Sequence, residues 1–456
     1  MPPDAAADPA VPRDGVHRFH FSETAEPRGV AAGHVVLSDA DLAEPPFKLE
    51  GLSPAAEPAP LWAQDLLLVA RAAHLADRVA ARATAPDRWT RTIELSVPVL
   101  DLRRWTALAR NRLTLLLQTL TADDWRLTLR PSRRFARGAQ SSLDEWRAGE
   151  VCLCSGGLDS AAWLATRARV AGGDAGTAGP LLPVTFVEGS LKGVQLDVVA
   201  RATRGSAGGD GTAARDVRPL TASQTPLGVH EITARSRGLL FAAFGIHVAA
   251  AHGVRSLAVP QNGLLAVNPP LSPARVAAAS TRSAHPRTLD LLTGVVAALG
   301  GDVVATNPWS ARTKGEVARL ALDAGLDAAD LALTVDCARP PVKRGRRHHH
   351  CGRCHPCLVR RAALAAALGR DPTDYETRDL GGLDPDGDGA ADLRALAGWL
   401  RTPYTAADVV ADLPLPAGVG VADVLAVVGR ARRELSAGLA GALGGVPGAS
   451  LSRPAP

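Results

Sequence analysis

The chain has 456 residues, 46% hydrophobic and 21% charged, with a formal net charge of +5 and a pI near 9.1. That is ample apolar material for two or three domains, while no run of about 18 apolar residues occurs, so no membrane span is expected. Met1-Pro2-Pro3-Asp4-Ala5 lacks the basic-then-apolar order of a signal peptide, which makes the cytoplasm the expected compartment.

In chain order, residues 1–16 are Ala/Pro/Asp-rich and read as disordered. Leu61, Leu68, Leu75 and Val79 recur at helical spacing across 61–83. Ile93, Leu95, Val97 and Val99 alternate as a strand does, Leu108 to Leu120 reads as a helix, and Trp125, Leu127 and Leu129 alternate again. Residues 17–148 therefore read as a small α/β or α+β domain with no catalytic cluster, suited to docking or substrate presentation. From 150 onward, candidate strands at 150–154, 181–187, 214–218, 255–259 and 302–306 alternate with candidate helices at 159–170, 192–203, 235–251, 287–299 and 314–324. Alternation of that kind predicts a parallel sheet with helices on both faces and ligands at the carboxyl ends of its strands. Gly205 to Gly211 reads as a flexible loop. A Cys-rich segment at 337–357 precedes a helix to about Leu368, and residues 376–456 read as a helical extension with a loose Pro-rich tail.

Two motifs carry chemistry. The apolar run at 151–154 ends in Ser155-Gly156-Gly157-Leu158-Asp159-Ser160, a strand, a tight glycine turn and a helix. Glycines let the backbone approach a ligand, and the helix start offers N–H groups and the positive end of its dipole to phosphate. Ser155 and Ser160 add hydroxyls, whereas Asp159 suits a helix cap or a Mg²⁺ ligand better than a phosphate contact. The loop is not of the Gly-x-x-x-x-Gly-Lys-Ser/Thr type. Cys152 and Cys154, on the strand before it, read as small core residues.

The second motif uses four of the six Cys: Cys337, and then Cys351, Cys354 and Cys357 in Cys-Gly-Arg-Cys-His-Pro-Cys. Four thiolates converging on one point suit a closed structural Zn²⁺ site, with an iron–sulfur cluster as the rival and disulfides disfavoured in a cytosolic protein. His348, His349 and His350 adjoin the site as alternate ligands or supporting donors. Only Lys48, Lys192, Lys314 and Lys343 supply lysine against a large arginine excess, so Lys314, just past the fifth strand, stands out as a phosphate-stabilising cation. The arginine excess itself, beside so much Ala and Gly, reads as a GC-rich genome; nucleic-acid binding stays open.

The hexapeptide resembles the PP-loop of the ATP pyrophosphatases, which split ATP to AMP and pyrophosphate. Together with the late Cys-Gly-x-Cys-x-x-Cys-x-x-Arg run ending at Arg360, it is similar to the QueC-like family, the 7-cyano-7-deazaguanine synthases. Ser236-Arg237-Gly238-Leu239-Leu240-Phe241 and Thr313-Lys314-Gly315-Glu316-Val317 look like two further family segments, so the resemblance spans roughly residues 149–375. It departs from the shorter synthases in its N-terminal region and at Pro260-Gln261-Asn262-Gly263 to Asn268-Pro269-Pro270. There, and at Arg282 with His285-Pro286, it looks like the long QueC-like proteins of bacterial anti-phage loci such as the Qat system.

The resemblance implies an adenine nucleotide α-hydrolase-like, Rossmann-like fold, with ATP, Mg²⁺ and a structural Zn²⁺. It implies that Ser155, Gly156, Gly157, Leu158, Asp159 and Ser160 bind ATP, that Asp159, Lys314 and Arg237 serve catalysis, and that Asn262, Asn268 and Arg282 contact substrate. A 7-carboxy-7-deazaguanine-type carboxylate would be the substrate and another protein of the same defence system the partner. Rival expectations are a nitrile synthase for modified tRNA bases, a non-catalytic nucleotide-binding scaffold, and a tRNA sulfurtransferase; the last needs a catalytic Cys that the zinc motif leaves no room for.

Overall fold

A computed structural model of the chain describes residues 14–22, 29–41, 59–133, 146–168, 179–187, 190–204, 216–223, 225–231, 233, 235–272, 282–340 and 349–444. The N-terminal region runs β1 (Val16–Ser22), β2 (Val35–Ser38), α1 (Leu61–Val79), β3 (Thr92–Val99), α2 (Ala107–Thr121) and β4 (Asp124–Pro131). Its four strands lie in the order β2-β1-β3-β4, every pair parallel, which resolves the region as α/β. Parallel neighbours need crossovers, and α1 and α2 supply them between β2, β3 and β4. β1 starts at the edge of the stretch expected to be disordered, and neither it nor β2 is among the expected strands; the expectation for residues 1–13 lies outside the described residues.

The central region continues with β5 (Glu150–Leu153), α3 (Leu158–Ala168), β6 (Leu181–Phe186), α4 (Lys192–Ala202), β7 (Leu220–Ala222), α5 (Arg237–Ala251), β8 (Ser256–Ala258), α6 (Gly263–Val267), α7 (Pro286–Ala298), β9 (Val304–Thr306), α8 (Lys314–Asp323) and α9 (Ala328–Leu333). Its sheet is parallel in the order β7-β6-β5-β8-β9. The chain moves outward from β5 to β7, then returns to the other side of β5 at β8. The switch point therefore lies beside β5, at the end of which the Ser155–Ser160 loop emerges. The strand expected at 214–218 is displaced: Val217 makes only an isolated bridge to Leu181, and the strand proper is Leu220–Ala222. Proline at 219 cannot donate to a ladder, so the regular strand starts after it. Residues 205–215, which include the expected loop at 205–211, lie outside the described residues.

Three cores hold the elements together. The largest joins β1, β3, α1 and α2 to β5, α5 and α7 without a break, so the N-terminal region shares its interior with the central sheet. The second packs α3, α4 and α8 on the opposite face. The third gathers α6 with α10 (His355–Leu368), α11 (Ala391–Arg401), α12 (Ala406–Asp412), α13 (Val421–Gly438) and α14 (Ala440–Leu443). The C-terminal extension is helical, as expected, with α12 as an addition. No helix among the described residues is long and apolar enough to cross a membrane.

Candidate functional site

The loop after β5 is shaped by its glycines. Gly156 sits at φ +78°, where side chains are strained, and a Cβ there would come within 3.1 Å of the Gln195 backbone. Gly157 leaves room for a carboxylate: its missing Cβ would lie 3.0 Å from Oδ1 of Asp336. That same oxygen accepts from the Leu158 N–H at 3.2 Å, in the first turn of α3, where backbone donors lack helical partners. Ser155 Oγ accepts from Gly157 N at 3.2 Å, while Ser160 turns its hydroxyl inward to Gly157 O at 3.0 Å. Gln195 holds the strand ends by donating to Ser155 O and Phe186 O.

Behind the loop lies a buried chain of charge. Lys314 Nζ is 3.0 Å from Asp336 Oδ1 and 3.3 Å from Asp159 Oδ2, and Arg360 Nη1 reaches Asp336 Oδ2 at 2.7 Å. Gln261 Nε2 and Asn262 Nδ2 donate to Asp159 Oδ2 at 3.0 and 2.8 Å, whereas Asp159 Oδ1 is buried with no hydrogen-bond partner among the described residues. Burial by itself would lower the Lys314 ammonium, but Asp159 and Asp336 outweigh it and hold Lys314 above its ordinary pKa. Burial would likewise raise Asp336, yet Lys314 and Arg360 hold it well below the usual carboxylate range. Two anions and two cations thus compensate one another, the condition under which buried charge is tolerated.

A cavity of about 480 Å³ opens beside this chain, at the carboxyl ends of β5 and β6. One wall is Phe186 and Phe241, stacked at 4.0 Å, with the Arg237 guanidinium 5.6 Å from the Phe241 ring. Another is Ser155 and Asp336, and a third is Cys337, Arg339, Cys354 and His355 from the Cys-rich segment. Of the expected site residues, Ser155, Arg237, Asn268, Cys337 and Cys354 line the cavity. Asp159 and Lys314 pair with each other, but stand behind Asp336 and do not line it. Asn262 is fully buried; besides its bond to Asp159 it caps α6 by accepting from Leu265 N, so it has no edge to offer a base. Asn268 takes the left-handed position that ends α6, at φ +46°. Arg282 is engaged by Asp412 through two bonds of 2.9 and 2.6 Å, both side chains buried, and serves the C-terminal interface instead of the cavity.

The four cysteines converge. Their ligand atoms all lie within 4.8 Å of one another, with Cys337–Cys354 at 3.8 Å and Cys351–Cys357 at 4.0 Å. Zn–S bonds of about 2.3 Å in a tetrahedron demand S···S separations of about 3.8 Å, so the donor set fits a Zn²⁺-sized ion. Backbone N–H groups of Arg339 and Cys351 donate to Cys337 Sγ, and that of Cys354 to Cys351 Sγ, which suits sulfurs carrying negative charge. No cysteine among the described residues is in a disulfide. His350 is not a ligand: its Nε2 accepts from Asp336 N at 3.3 Å, and burial pulls its pKa down to about 3. His348 lies outside the described residues. Arg360, six residues along the chain from Cys354, ties this knuckle to Asp336 and hence to Lys314.

Asp336 escapes a reading of the sequence because an acid beside a Cys ligand looks like loop solvation. Gln195, Phe186 and Phe241 escape it because their pattern is that of core positions. No protein-family model matches this chain, and no curated protein and no solved structure matches it.

Proposed function

We propose that the chain is an ATP-dependent enzyme of the QueC-like, PP-loop type. It would activate a 7-carboxy-7-deazaguanine-type carboxylate as its adenylate and form an amide on an amine of a partner protein in anti-phage defence. The observation that carries the reading is the start of the Ser155–Ser160 loop at the switch point of a parallel sheet, with Ser155 lining a cavity that Cys337 and Cys354 of the four-Cys cluster also line. The substrate carboxylate oxygen attacks the α-phosphorus, the bond to the bridging oxygen of the β-phosphate breaks, and pyrophosphate leaves. The amine nitrogen then attacks the acyl carbon, AMP leaves, and the amine's surplus proton passes to solvent.

In this scheme the Phe186–Phe241 pair offers a flat apolar face for a fused heterocycle, and Arg237 beside it a cation for carboxylate or phosphate. Lys314 would exchange part of its pairing with Asp336 for phosphate oxygen. Asp159, whose Oδ1 has no hydrogen-bond partner among the described residues, would be the carboxylate to hold Mg²⁺, which would offset phosphate charge. The four thiolates would hold Zn²⁺ as a structural clamp on the cavity wall.

A second reading, a nucleotide-binding scaffold without turnover, draws on Asp336, whose carboxylate already occupies the Leu158 N–H and Lys314. Release of AMP and pyrophosphate, with and without 7-carboxy-7-deazaguanine and for Asp159→Ala and Lys314→Ala, separates the two. AMP production that needs the acid and is lost in both variants supports the enzyme. No AMP above the variants' level with any substrate sinks it. Free nitrile made efficiently from ammonia with no partner would point instead to a nitrile synthase.

A further inference from the structure

We infer that Asp77, in the N-terminal region, is a positioning residue for Arg237 and so for ligand binding in the cavity. The inference rests on the proposed reading of that cavity. Arg237 is the first residue of α5, and a helix start needs its unpaired N–H groups satisfied. Ser236, just before it, makes no side-chain cap on its own helix. Asp77 serves from outside: its Oδ2 accepts from Ser236 N at 3.0 Å and from Ser236 Oγ at 2.6 Å. The Ser236 hydroxyl, having donated, accepts from Nδ1 of His74 at 3.0 Å. Asp77 is fully buried and is held in turn by Arg91, 2.6 Å from its Oδ1.

The approach to α5 is fastened by the same helix end. Arg78 O accepts from His230 N and Glu231 N at 3.1 and 3.0 Å, and Arg78 Nη1 donates to Thr233 O at 2.7 Å. A negative charge at the start of α5 also complements its dipole. The rotation and height of α5, and with them the direction from which Arg237 enters the cavity, are therefore set by a carboxylate 160 positions earlier in the chain than Arg237. Asp77 does not line the cavity; whatever it contributes to ligand binding must pass through α5.

A double-mutant cycle tests this in the full chain, reading equilibrium affinity for ATP and for 7-carboxy-7-deazaguanine by calorimetry, beside the thermal midpoint. Asp77→Asn keeps the shape but turns a donor toward Ser236 N. It should weaken the anion that Arg237 contacts by roughly tenfold, the equivalent of losing one charged hydrogen bond. Arg237→Ala should weaken the same probe at least as much, and the double variant should be no weaker than Arg237→Ala alone. Should Asp77→Asn fail to fold, Ser236→Ala enters the same cycle, leaving the Asp77–Arg91 pair intact. Losses that add across the cycle, or a lowered midpoint with unchanged affinity, overturn the inference. A wild type that binds a probe but releases no AMP sinks the enzymatic reading alone, and the cycle still decides this one. A wild type that binds neither probe overturns both.

Discussion

At one end of the molecule Asp77 caps α5 from outside; at the other, Glu434 of α13 does the same for α8, accepting from Thr313 Oγ1 and from Gly315 N. The two helices carry the two expected cations, Arg237 and Lys314, as their first residues. The chemistry differs. Asp77 belongs to a sealed ion network: Arg91 bridges it to Asp123, all three side chains fully buried, and Arg82 joins from the rim. Glu434 is half-buried on a helix that packs against a start already capped by its own box, Thr313 with Glu316, and Arg430 pairs with that Glu316. The N-terminal clamp thus serves a helix start that has no side-chain cap of its own, and the C-terminal one adds to a start that is capped without it. The sharpest way to break this comparison is Arg91→Met. It strands Asp77 and Asp123 with less than full compensation, and removing one partner of a buried ionic network costs about 3–5 kcal/mol. Urea unfolding should show that loss; a change under about 1 kcal/mol would mean the network is no brace.

Metal removal probes the C-terminal side. If the four thiolates hold Zn²⁺, the ion stabilises the folded chain by mass action, about 4 kcal/mol when it stands a thousandfold above its Kd. Chelation or Cys354→Ser should lower the thermal midpoint and strip hydrogen-exchange protection from the start of α10, while α1 and α5 keep theirs. Loss of protection spreading evenly over both ends would show that the two clamps are one cooperative unit.

Acid should weaken the N-terminal clamp. His74 on α1 and His247 on α5 are both pulled down to about 4 by burial, and so are neutral in the folded chain. The unfolded chain binds their protons near pH 6.5, so their contribution is complete above that value and is lost as pH falls towards 4. A tenfold loss of proton affinity on folding is worth about 1.4 kcal/mol, so stability should drop by about 2 kcal/mol or more from pH 7 to pH 5. Asp77, held below its ordinary range against the raising effect of burial by Arg91 and Ser236, adds its own loss only below pH 3.8. A urea midpoint that is flat from pH 7 to pH 5 would refute the neutral buried state of the two histidines.

Legibility in the sequence follows the range of the interaction. The helices at α3, α5, α7 and α8 and the strands at β5, β6 and β8 show because their period is local, and the four cysteines show because convergence on one point imposes a short spacing. β1 hides because its alternation, Phe19 and Phe21 with His20 and Ser22, runs for only four residues after Val16-His17-Arg18. Asp77 hides in an Ala/Leu-rich helix, where one acid resembles a solvated position; its partner Ser236 is 159 residues away. Asn262 and Arg282 have polar chemistry that is plain in the sequence, but their partners Asp159 and Asp412 come from other elements, and those partners decide what they do.

The smallest expected effect is the most discriminating. Burial pushes the Glu434 carboxyl above 4.5, against the bonds from Thr313 and Gly315 that favour the charged form. A raised folded pKa means that the group's favourable contribution is full below 4.5 and is lost as pH rises through the folded value. At neutral pH the charge on Glu434 is therefore a burden that its two donors only partly offset. Glu434→Gln removes the charge, keeps one acceptor, and turns an amide donor toward the other partner. These changes oppose each other, so stability at pH 7 should move by no more than about 0.5 kcal/mol, as at an ordinary partly exposed site. The thermal midpoint of the variant against wild type at pH 7 reads this directly. A loss comparable to Arg91→Met would show that α8 depends on its outside carboxylate as α5 does, and the distinction between the two clamps would fall.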